Sequence, residues 1–410
     1  MSHAKSSTAK AATSAGPMPS AHKGGHGMRV ALVLQGGGAL GAYHIGAFEA
    51  LQEAGYSPHW VSGISIGAIN AAVIAGNRAE DQLDRLERLW AEISRPDGWG
   101  AHLSGPMLRM FNQFSAVEAL CFGQPNFWVP RMPSPLLLPQ VAPEEASFCD
   151  TRPMLATLAR LCDFSLINQR EVRLSLGATH VDTGTLVFFD NTRQVIGPEH
   201  VLASGSLPPG FPATRVDGEL YWDGGCVSNT PLDALYLDEG NEDLLVFMID
   251  LWGAFGPPPQ NMDQVSWRQK QIQYASRTSH SIRALATEHN LRSALKAQPA
   301  AAGRAGVDIA AVSSASALES GRRLHIVHVV YHPSDDQVSE SDAEFSRPSI
   351  AKRREAGYRD LRLAIQEAPW LQHGHADSGG TLLHRVYRGA VAGNTSAHVK
   401  GNPLRFMHRP

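Results

Sequence analysis

The first patterned stretch of the chain is a short apolar run that ends in a cluster of glycines. Residues 29–34 read Arg-Val-Ala-Leu-Val-Leu, and Gln-Gly-Gly-Gly follows at 35–38. An apolar run of this length, stopped by a turn signal, is typical of a strand buried on both faces of a parallel sheet. Apolar residues then recur at helical spacing over 39–54, and Gly55 follows, which predicts a helix closed by glycine.

The alternation of strand and helix patterns continues along the chain. A strand is predicted at 59–62 and a helix of small residues at 68–75, so the chain opens β–loop–α–β–turn–α and favours an α/β fold with a largely parallel sheet. Residues 96–150, rich in proline, glycine and aromatics, predict a long irregular insertion of the kind that forms lids or binding walls. Further strands are predicted at 172–178, 186–189, 219–222, 244–249 and 324–331, and further helices at 79–93, 264–296 and 349–366.

Composition is that of a globular protein, with 43% hydrophobic and 18% charged residues in 410. We find no apolar run long enough to span a bilayer and no signal peptide, so a cytoplasmic location is expected. Four cysteines without metal-type spacing argue against zinc and against a disulfide framework. Both ends of the chain are basic, which fits either solvated termini or contact with an anionic membrane, and no nucleic-acid partner is expected.

A candidate nucleophile lies between the second predicted strand and its helix. Gly63-Ile64-Ser65-Ile66-Gly67 fits G-x-S-x-G, the elbow that presents a serine hydroxyl on a sharp strand-to-helix turn. Glycines two residues on either side remove the Cβ atoms that would otherwise collide. The five-residue pattern is common by chance, and its place between a strand and a helix is what favours the elbow.

The glycine-rich loop permits two interpretations. Gly-Gly-Gly-Ala-Leu-Gly at 36–41 also fits the dinucleotide fingerprint, but no carboxylate follows the second strand to bind a ribose. The alternative is a row of free backbone N–H groups at a helix start, which would stabilise a developing oxyanion beside a nucleophile. We favour the oxyanion interpretation.

The serine needs a base, and no histidine stands out as one. Asp223 is a candidate because it ends a predicted strand and two glycines leave room around it. On its own, an Asp-Gly-Gly sequence is more often an ordinary turn. The histidines that are not expected to act as the base are His44, His180, His325, His328 and His332.

Taken together, the glycine loop at 36–41, the elbow around Ser65 and Asp223-Gly224-Gly225 resemble the patatin-like phospholipase family. The segment at 203–212 is also similar to that family's loop before the aspartate. The resemblance covers residues 28–252 and implies a three-layer α/β/α sandwich around a mostly parallel sheet.

The resemblance also implies the site. Ser65 would be the nucleophile and Asp223 the base, without histidine, and the elbow glycines would be Gly63 and Gly67. The implied substrate is a lipid or fatty-acyl ester, with no cofactor or metal and with peripheral contact to a membrane as one expectation. One departure is Leu40, where many relatives carry a basic residue. The implied oxyanion hole consists of the loop residues Gly36, Gly37, Gly38 and Ala39.

The domain organisation that follows has four parts. We expect a disordered tail at 1–27, a hydrolase core at 28–252, a mainly helical extension packed on the core at 253–370 and a basic tail at 371–410. Two alternatives to a hydrolase stay open. One is an acyltransferase that uses the same serine, and the other is an inactive binding protein that keeps the fold.

Overall fold

The structure is a computed structural model, and it describes residues 27–95, 103–138, 140–238, 240–297, 322–333, 336–372 and 380–386. Nearly all of the tail predicted at 1–27 and most of the tail predicted at 371–410 lie outside these ranges. Within them, no helix combines the length and the apolar content needed to cross a membrane.

The strands of the described residues form one large sheet and one small hairpin. In the large sheet the order is β11-β10-β9-β1-β2-β5-β8-β7, with β6 also paired to β5. The pairs from β11 through to β5 are parallel, whereas β6 and β8 run antiparallel to β5. The strands are β1 (Arg29–Leu34), β2 (Trp60–Ile64), β3 (Val129–Pro130), β4 (Cys149–Asp150), β5 (Arg173–His180), β6 (Leu186–Asp190), β7 (Thr214–Val216), β8 (Glu219–Asp223), β9 (Leu244–Asp250), β10 (Arg323–Val330) and β11 (Gly380–Val386).

Helices cover both faces of this sheet. Along β1, Leu32 and Leu34 join a core with α1, α2 and α10, while Ala31 and Val33 join a second core with α8 and α9. Burial on both faces explains the unbroken apolar runs of the central strands, and it confirms the predicted three-layer arrangement. The helices are α1 (Tyr43–Glu53), α2 (Ile66–Ala75), α3 (Gln82–Glu92), α4 (Gly105–Phe122), α5 (Arg152–Leu161), α6 (Phe164–Gln169), α7 (Pro198–Ser204), α8 (Asp233–Tyr236), α9 (Met262–Ala297), α10 (Arg347–Glu367) and α11 (Pro369–Gln372).

The insertion at 96–150 is less irregular than its composition predicts, because it contains the 18-residue helix α4. The residues on the buried side of this helix are mostly small or polar, and large apolar side chains face outwards, so the usual amphipathic signal is inverted. The buried positions are Leu108, Asn112, Ser115, Ala116 and Ala119.

The C-terminal region belongs to the same sheet as the core. Strand β10 pairs in parallel with β9 over its whole length, from Leu324 opposite Leu244 to Val330 opposite Asp250. Strand β11, inside the segment assigned to a basic tail, then pairs in parallel with β10. The boundary placed after residue 252 therefore falls between two neighbouring strands of one sheet.

Sheet register brings the candidate site residues to one edge. Leu34, the last residue of β1, lies opposite Gly63 of β2, so the glycine loop and the elbow leave the sheet side by side. Strand β5 pairs with β2 up to Gly177, opposite Ile64, and with β8 from Ala178, opposite Asp223. Ser65 therefore comes directly after the residue opposite Gly177, and Asp223 lies opposite the next residue of β5, Ala178.

Candidate active site

Ser65 occupies the strained turn that the elbow motif predicts. Its φ of 58° and ψ of −126° lie in a region that non-glycine residues rarely adopt. A Cβ on Gly63 would lie 2.3 Å from the carbonyl oxygen of Gly67, and a Cβ on Gly67 would lie 2.2 Å from that of Leu34. Both glycines are therefore needed for β2 to turn directly into α2.

Ser204 holds the elbow in place from the end of α7. The Ser65 N–H donates to the Ser204 carbonyl oxygen at 3.0 Å and lies 3.2 Å from the Ser204 hydroxyl. That hydroxyl in turn donates to the Gly177 carbonyl oxygen on β5 at 2.6 Å. The sequence singled out the segment at 203–212 but gave no reason to assign this supporting role to Ser204.

Asp223 is fixed by its backbone on both sides. Its N–H donates to the Ser206 carbonyl oxygen at 2.9 Å, and its own carbonyl oxygen accepts the Thr179 hydroxyl at 2.9 Å. The residue ends β8 and begins the short 3₁₀ turn Gly224–Cys226. Only 1% of Asp223 is exposed, so its carboxylate is almost completely removed from water.

Burial raises the pKa of Asp223 to about 7, although hydrogen bonding from Ser65 and from the Gly225 amide acts in the opposite direction. The Gly225 N–H donates to Oδ1 at 2.7 Å. The other oxygen, Oδ2, is buried and has no hydrogen bond of standard geometry to another described residue. The Ser65 hydroxyl therefore approaches the carboxylate without completing a well-formed bond, an arrangement common for a base before substrate binds.

The first glycine of the loop does not have a free amide. The Gly36 N–H donates to the Asn229 carbonyl oxygen at 3.1 Å, and the Gly36 carbonyl oxygen accepts Asn229 Nδ2 at 2.7 Å and Trp252 Nε1 at 2.9 Å. Gly36 is thus held on both sides, and its N–H, a predicted oxyanion donor, already has an acceptor. Nothing in the local sequence marked Asn229 as the clamp.

Within the described part of the chain, the backbone N–H groups of the next three residues of the loop are not bound in this way. Gly37 precedes the 3₁₀ helix Gly38–Ala42, which leads into α1. Among the described residues, no backbone acceptor takes the N–H of Gly37, Gly38 or Ala39. Free N–H groups at a helix start carry partial positive charge and can receive an anionic oxygen. Leu40 is fully buried, so this position brings no cation to the site.

A buried polar network lies behind the loop. Gln35 accepts the N–H groups of Leu251 and Trp252 through Oε1 and donates through Nε2 to the hydroxyls of Thr230 and Thr278. All of these bonds link the end of β1 to segments far away in the chain. The network holds the start of the glycine loop against β9 and α9.

Three of the histidines that are not expected to act as the base have well-defined surroundings. His44 is buried within α1, and burial lowers its pKa to about 3, so it stays neutral. His180 lies 3.4 Å from Glu219, at the C-terminal end of β5. His328 does have an acid, because its Nε2 lies 2.6 Å from Asp250 on the neighbouring strand β9.

Among the described residues, no group of three or more His, Cys, Asp or Glu is placed to hold a metal ion. All four cysteines are unpaired thiols. Cys226 is half-buried, and burial raises its pKa to about 11, which keeps it protonated at neutral pH.

Comparisons with known proteins agree on a family. A family model described as patatin-like phospholipase matches residues 32–236, and a second, described as patatin phospholipase, matches residues 272–377. Neuropathy target esterase sws of Drosophila melanogaster is 27% identical over 234 residues, which cover 53% of this chain and 13% of that protein. Patatin-like phospholipase domain-containing protein 6 of Homo sapiens is 44% identical over 66 residues, 16% of this chain and 5% of that protein.

Among solved structures, VipD from Legionella pneumophila aligns over 83% of this chain and 67% of its own, at 16% identity and a TM-score of 0.38. The chain matches only a small part of the curated relatives, 13% of the Drosophila melanogaster protein and 5% of the human one.

Proposed function

Because the chain belongs to the patatin-like phospholipase family, we propose that it is a lipid acyl hydrolase that works through Ser65 and Asp223. The observation that carries the proposal is the proximity of these two residues. They lie at the point along β5 where pairing with β2 ends and pairing with β8 begins. One is a serine on a strained elbow, and the other is a buried carboxylate whose pKa is raised to about 7. A base that titrates near neutral pH can accept a hydroxyl proton efficiently.

The proposed reaction has two steps. Asp223 takes the Ser65 proton while the Ser65 oxygen attacks the ester carbonyl, and the N–H groups of Gly37, Gly38 and Ala39 stabilise the oxyanion. Collapse of this intermediate releases the alcohol, which takes the proton from Asp223, and leaves an acyl group on Ser65. Asp223 then takes a proton from water as the water oxygen attacks the acyl-enzyme. Collapse of this second intermediate releases the carboxylic acid, and the Ser65 oxygen recovers its proton from Asp223.

We further propose that the protein meets its substrate at a membrane surface. Met107, Met110, Phe114 and Val117 lie at helical spacing on α4 and are 54% to 68% exposed. We call these four residues the apolar face of α4. A continuous apolar surface of this kind is unusual on a protein that contacts only water.

Other exposed apolar side chains follow the segments that hold Ser65 and Asp223, or lie in the same insertion as α4. Leu207 follows the turn that holds Ser65, and Val227 follows Asp223 by four residues; they are 38% and 42% exposed. Leu136 and Leu137, from the same insertion as α4, are 79% and 76% exposed. Lipid acyl chains would cover these surfaces while an ester group reaches Ser65.

Hydrolysis of p-nitrophenyl butyrate tests the catalytic assignment. We expect Ser65→Ala and Asp223→Asn each to lower kcat/KM by on the order of 10³-fold or more, because each removes a member of one catalytic unit. A fluorophosphonate probe should label the wild-type protein on the peptide that contains Ser65.

Matched substitutions at exposed positions serve as controls. Ser57→Ala, before β2, and Asp217→Asn, in the turn before β8, should leave kcat/KM within about twofold, as distant surface changes usually do. Full activity in the Ser65→Ala protein would end the proposal.

A further inference from the structure

The side chain of Arg353 connects the C-terminal region to the glycine loop. Its Nη1 donates to the Ala39 carbonyl oxygen at 3.0 Å and to the Glu344 carbonyl oxygen at 2.8 Å, and its Nη2 donates to the Ser341 carbonyl oxygen at 3.0 Å. Arg353 is only 2% exposed. One guanidinium group therefore binds the loop and the segment beside it at the same time.

A buried arginine side chain that binds backbone carbonyl groups requires compensating interactions, since removing its charge from water costs free energy. The carboxylate of Glu344, which is fully buried, lies 3.6 Å from Arg353 Nη2 and balances the charge. A simple ion pair would not require three carbonyl contacts. The planar fork of arginine suits this simultaneous binding, and a lysine ammonium does not reproduce it.

The loop rests directly on the segment that Arg353 binds. Gly38 has a φ of +54°, and a Cβ there would lie 2.1 Å from the Asp342 carbonyl oxygen. The side chain of Asp342 is held in turn by Lys270 of α9, whose Nζ lies 3.0 Å from Oδ1. The backbone that carries the free amides is thus supported by two helices of the C-terminal region.

Close packing of helix α10 against α1 fixes the position of Arg353 relative to the glycine loop. Helix α10 packs against α1 at backbone contact, because a Cβ on Gly46 would lie 1.8 Å from the Arg354 carbonyl oxygen and one on Gly357 would lie 2.0 Å from that of Tyr43. Helix α1 continues directly from the 3₁₀ helix of the glycine loop. Close packing of this kind leaves little freedom for the guanidinium to move.

We propose that Arg353 is a positioning residue for the oxyanion hole, so that the region matched at 272–377 forms part of the catalytic machinery. The proposal rests on the proposed function of the loop as the oxyanion site. Arg353 does not touch the substrate; it sets the positions of the Gly37, Gly38 and Ala39 amides through the Ala39 carbonyl and the segment at 341–344. Oxyanion stabilisation depends on donor positions to within a fraction of an ångström.

The test compares Arg353→Met and Arg353→Lys with Arg354→Met, a neighbour on α10 whose guanidinium binds Glu49 and Glu87 instead. Rates are normalised to active sites titrated with a fluorophosphonate. For Arg353→Met we expect kcat on p-nitrophenyl butyrate to fall roughly 10- to 100-fold with KM within about threefold, the pattern of a lost transition-state interaction. The Ki of a trifluoromethyl ketone, which forms a tetrahedral adduct on serine, should rise by the same factor.

Two further readouts keep the test decisive. Arg353→Lys retains the charge and should lower kcat per site by about 3- to 10-fold, so it serves if the methionine variant does not fold. Hydrogen exchange of the 36–42 peptide should be faster in both variants and unchanged in Arg354→Met. Unchanged kcat per site, ketone Ki and exchange in folded Arg353 variants would overturn the inference. A wild-type protein inert towards ester and probe would instead contradict the proposed function, while the exchange measurement would still decide on Arg353.

Discussion

At the scale of single residues, the candidate site keeps two features that cost the fold free energy. The backbone of Ser65 lies in a strained region, which typically costs about 1–3 kcal/mol. Asp223 is almost fully buried, and burial raises its pKa to about 7. Both features persist because hydrogen bonds hold the two residues in place: the Ser65 N–H donates to Ser204, and the Gly225 N–H donates to Asp223.

The titration of Asp223 predicts how stability depends on pH. The folded pKa of about 7 exceeds the value of about 3.9 expected in the unfolded chain, so the folded state binds the proton more tightly. The stability from this group is present below pH ~4 and is lost as pH rises through 7. Asp223→Asn should therefore raise Tm at pH 8 and flatten its decline between pH 5 and 8, as measured by calorimetry.

The same titration predicts the activity profile with the opposite sign. As the proposed base, Asp223 can accept a proton only when it is deprotonated, so kcat/KM of the wild-type protein should rise with pH and level off above about 7. Asp217→Asn, at an exposed turn, is the control for both curves. Parallel Tm curves for the wild-type and Asp223→Asn proteins would contradict the raised pKa.

At the scale of secondary-structure elements, α4 is the feature that the sequence pattern misrepresents. Its large apolar residues point away from the core, whereas the helix rests on small and polar ones. One of these, Asn112, donates from Nδ2 to the Asp336 carbonyl oxygen at 3.1 Å. The helix is thus docked by specific contacts and leaves its apolar face available to a lipid surface.

The apolar face of α4 predicts a separation between soluble and membrane substrates. Met110→Asp with Phe114→Asp should weaken binding to phosphatidylcholine vesicles and lower hydrolysis of vesicle lipid by about 10-fold or more, since each apolar side chain contributes roughly 1.5–3 kcal/mol when buried in an apolar phase. Hydrolysis of soluble p-nitrophenyl butyrate should stay within about twofold of wild type. Co-sedimentation with vesicles measures the binding.

Ser57→Asp is the control for added charge, because Ser57 is exposed before β2, at the opposite end of that strand from Ser65. It should leave vesicle binding unchanged. Undiminished vesicle binding by the doubly substituted α4 protein would refute a role for this face.

At the scale of the whole molecule, the C-terminal region completes the sheet as well as the site. Strand β9 lies between β1 and β10, and all seven of its residues are buried. Helix α9 covers one face of the sheet and α10 packs on the other. The segment at 28–252, predicted as a separate core, therefore depends on later residues for one edge of the sheet and for parts of both helical layers.

Truncation tests this dependence. A chain that ends at residue 259 loses β10, β11, α9 and α10, and it exposes the edge and faces of β9, so we expect no cooperative thermal unfolding and no esterase activity. A chain that ends at residue 386 retains all of these elements and is the control. Cooperative unfolding of the shorter chain, seen by circular dichroism, would show that the core folds alone.

Local chemistry made much of the fold predictable. Strand β1 has the predicted bounds, and the strands and helices around Ser65 lie within a few residues of their predicted positions, because apolar runs and glycine turns encode them directly. Helix α4 and strand β11 were missed. In α4 the apolar residues face outwards, and β11 has a mixed burial pattern at the edge of the sheet.

The sequence by itself determined where a strained serine turn can form, since only glycine at 63 and 67 avoids backbone collisions there. It also determined the order of glycine loop, serine and aspartate along the chain. Tertiary structure alone decided which amides remain free, because the Gly36 amide is taken by Asn229 and the loop is held by Arg353. It also decided the pKa of Asp223. The physical reason is that burial and hydrogen-bond partners depend on segments hundreds of residues apart, which no local pattern specifies.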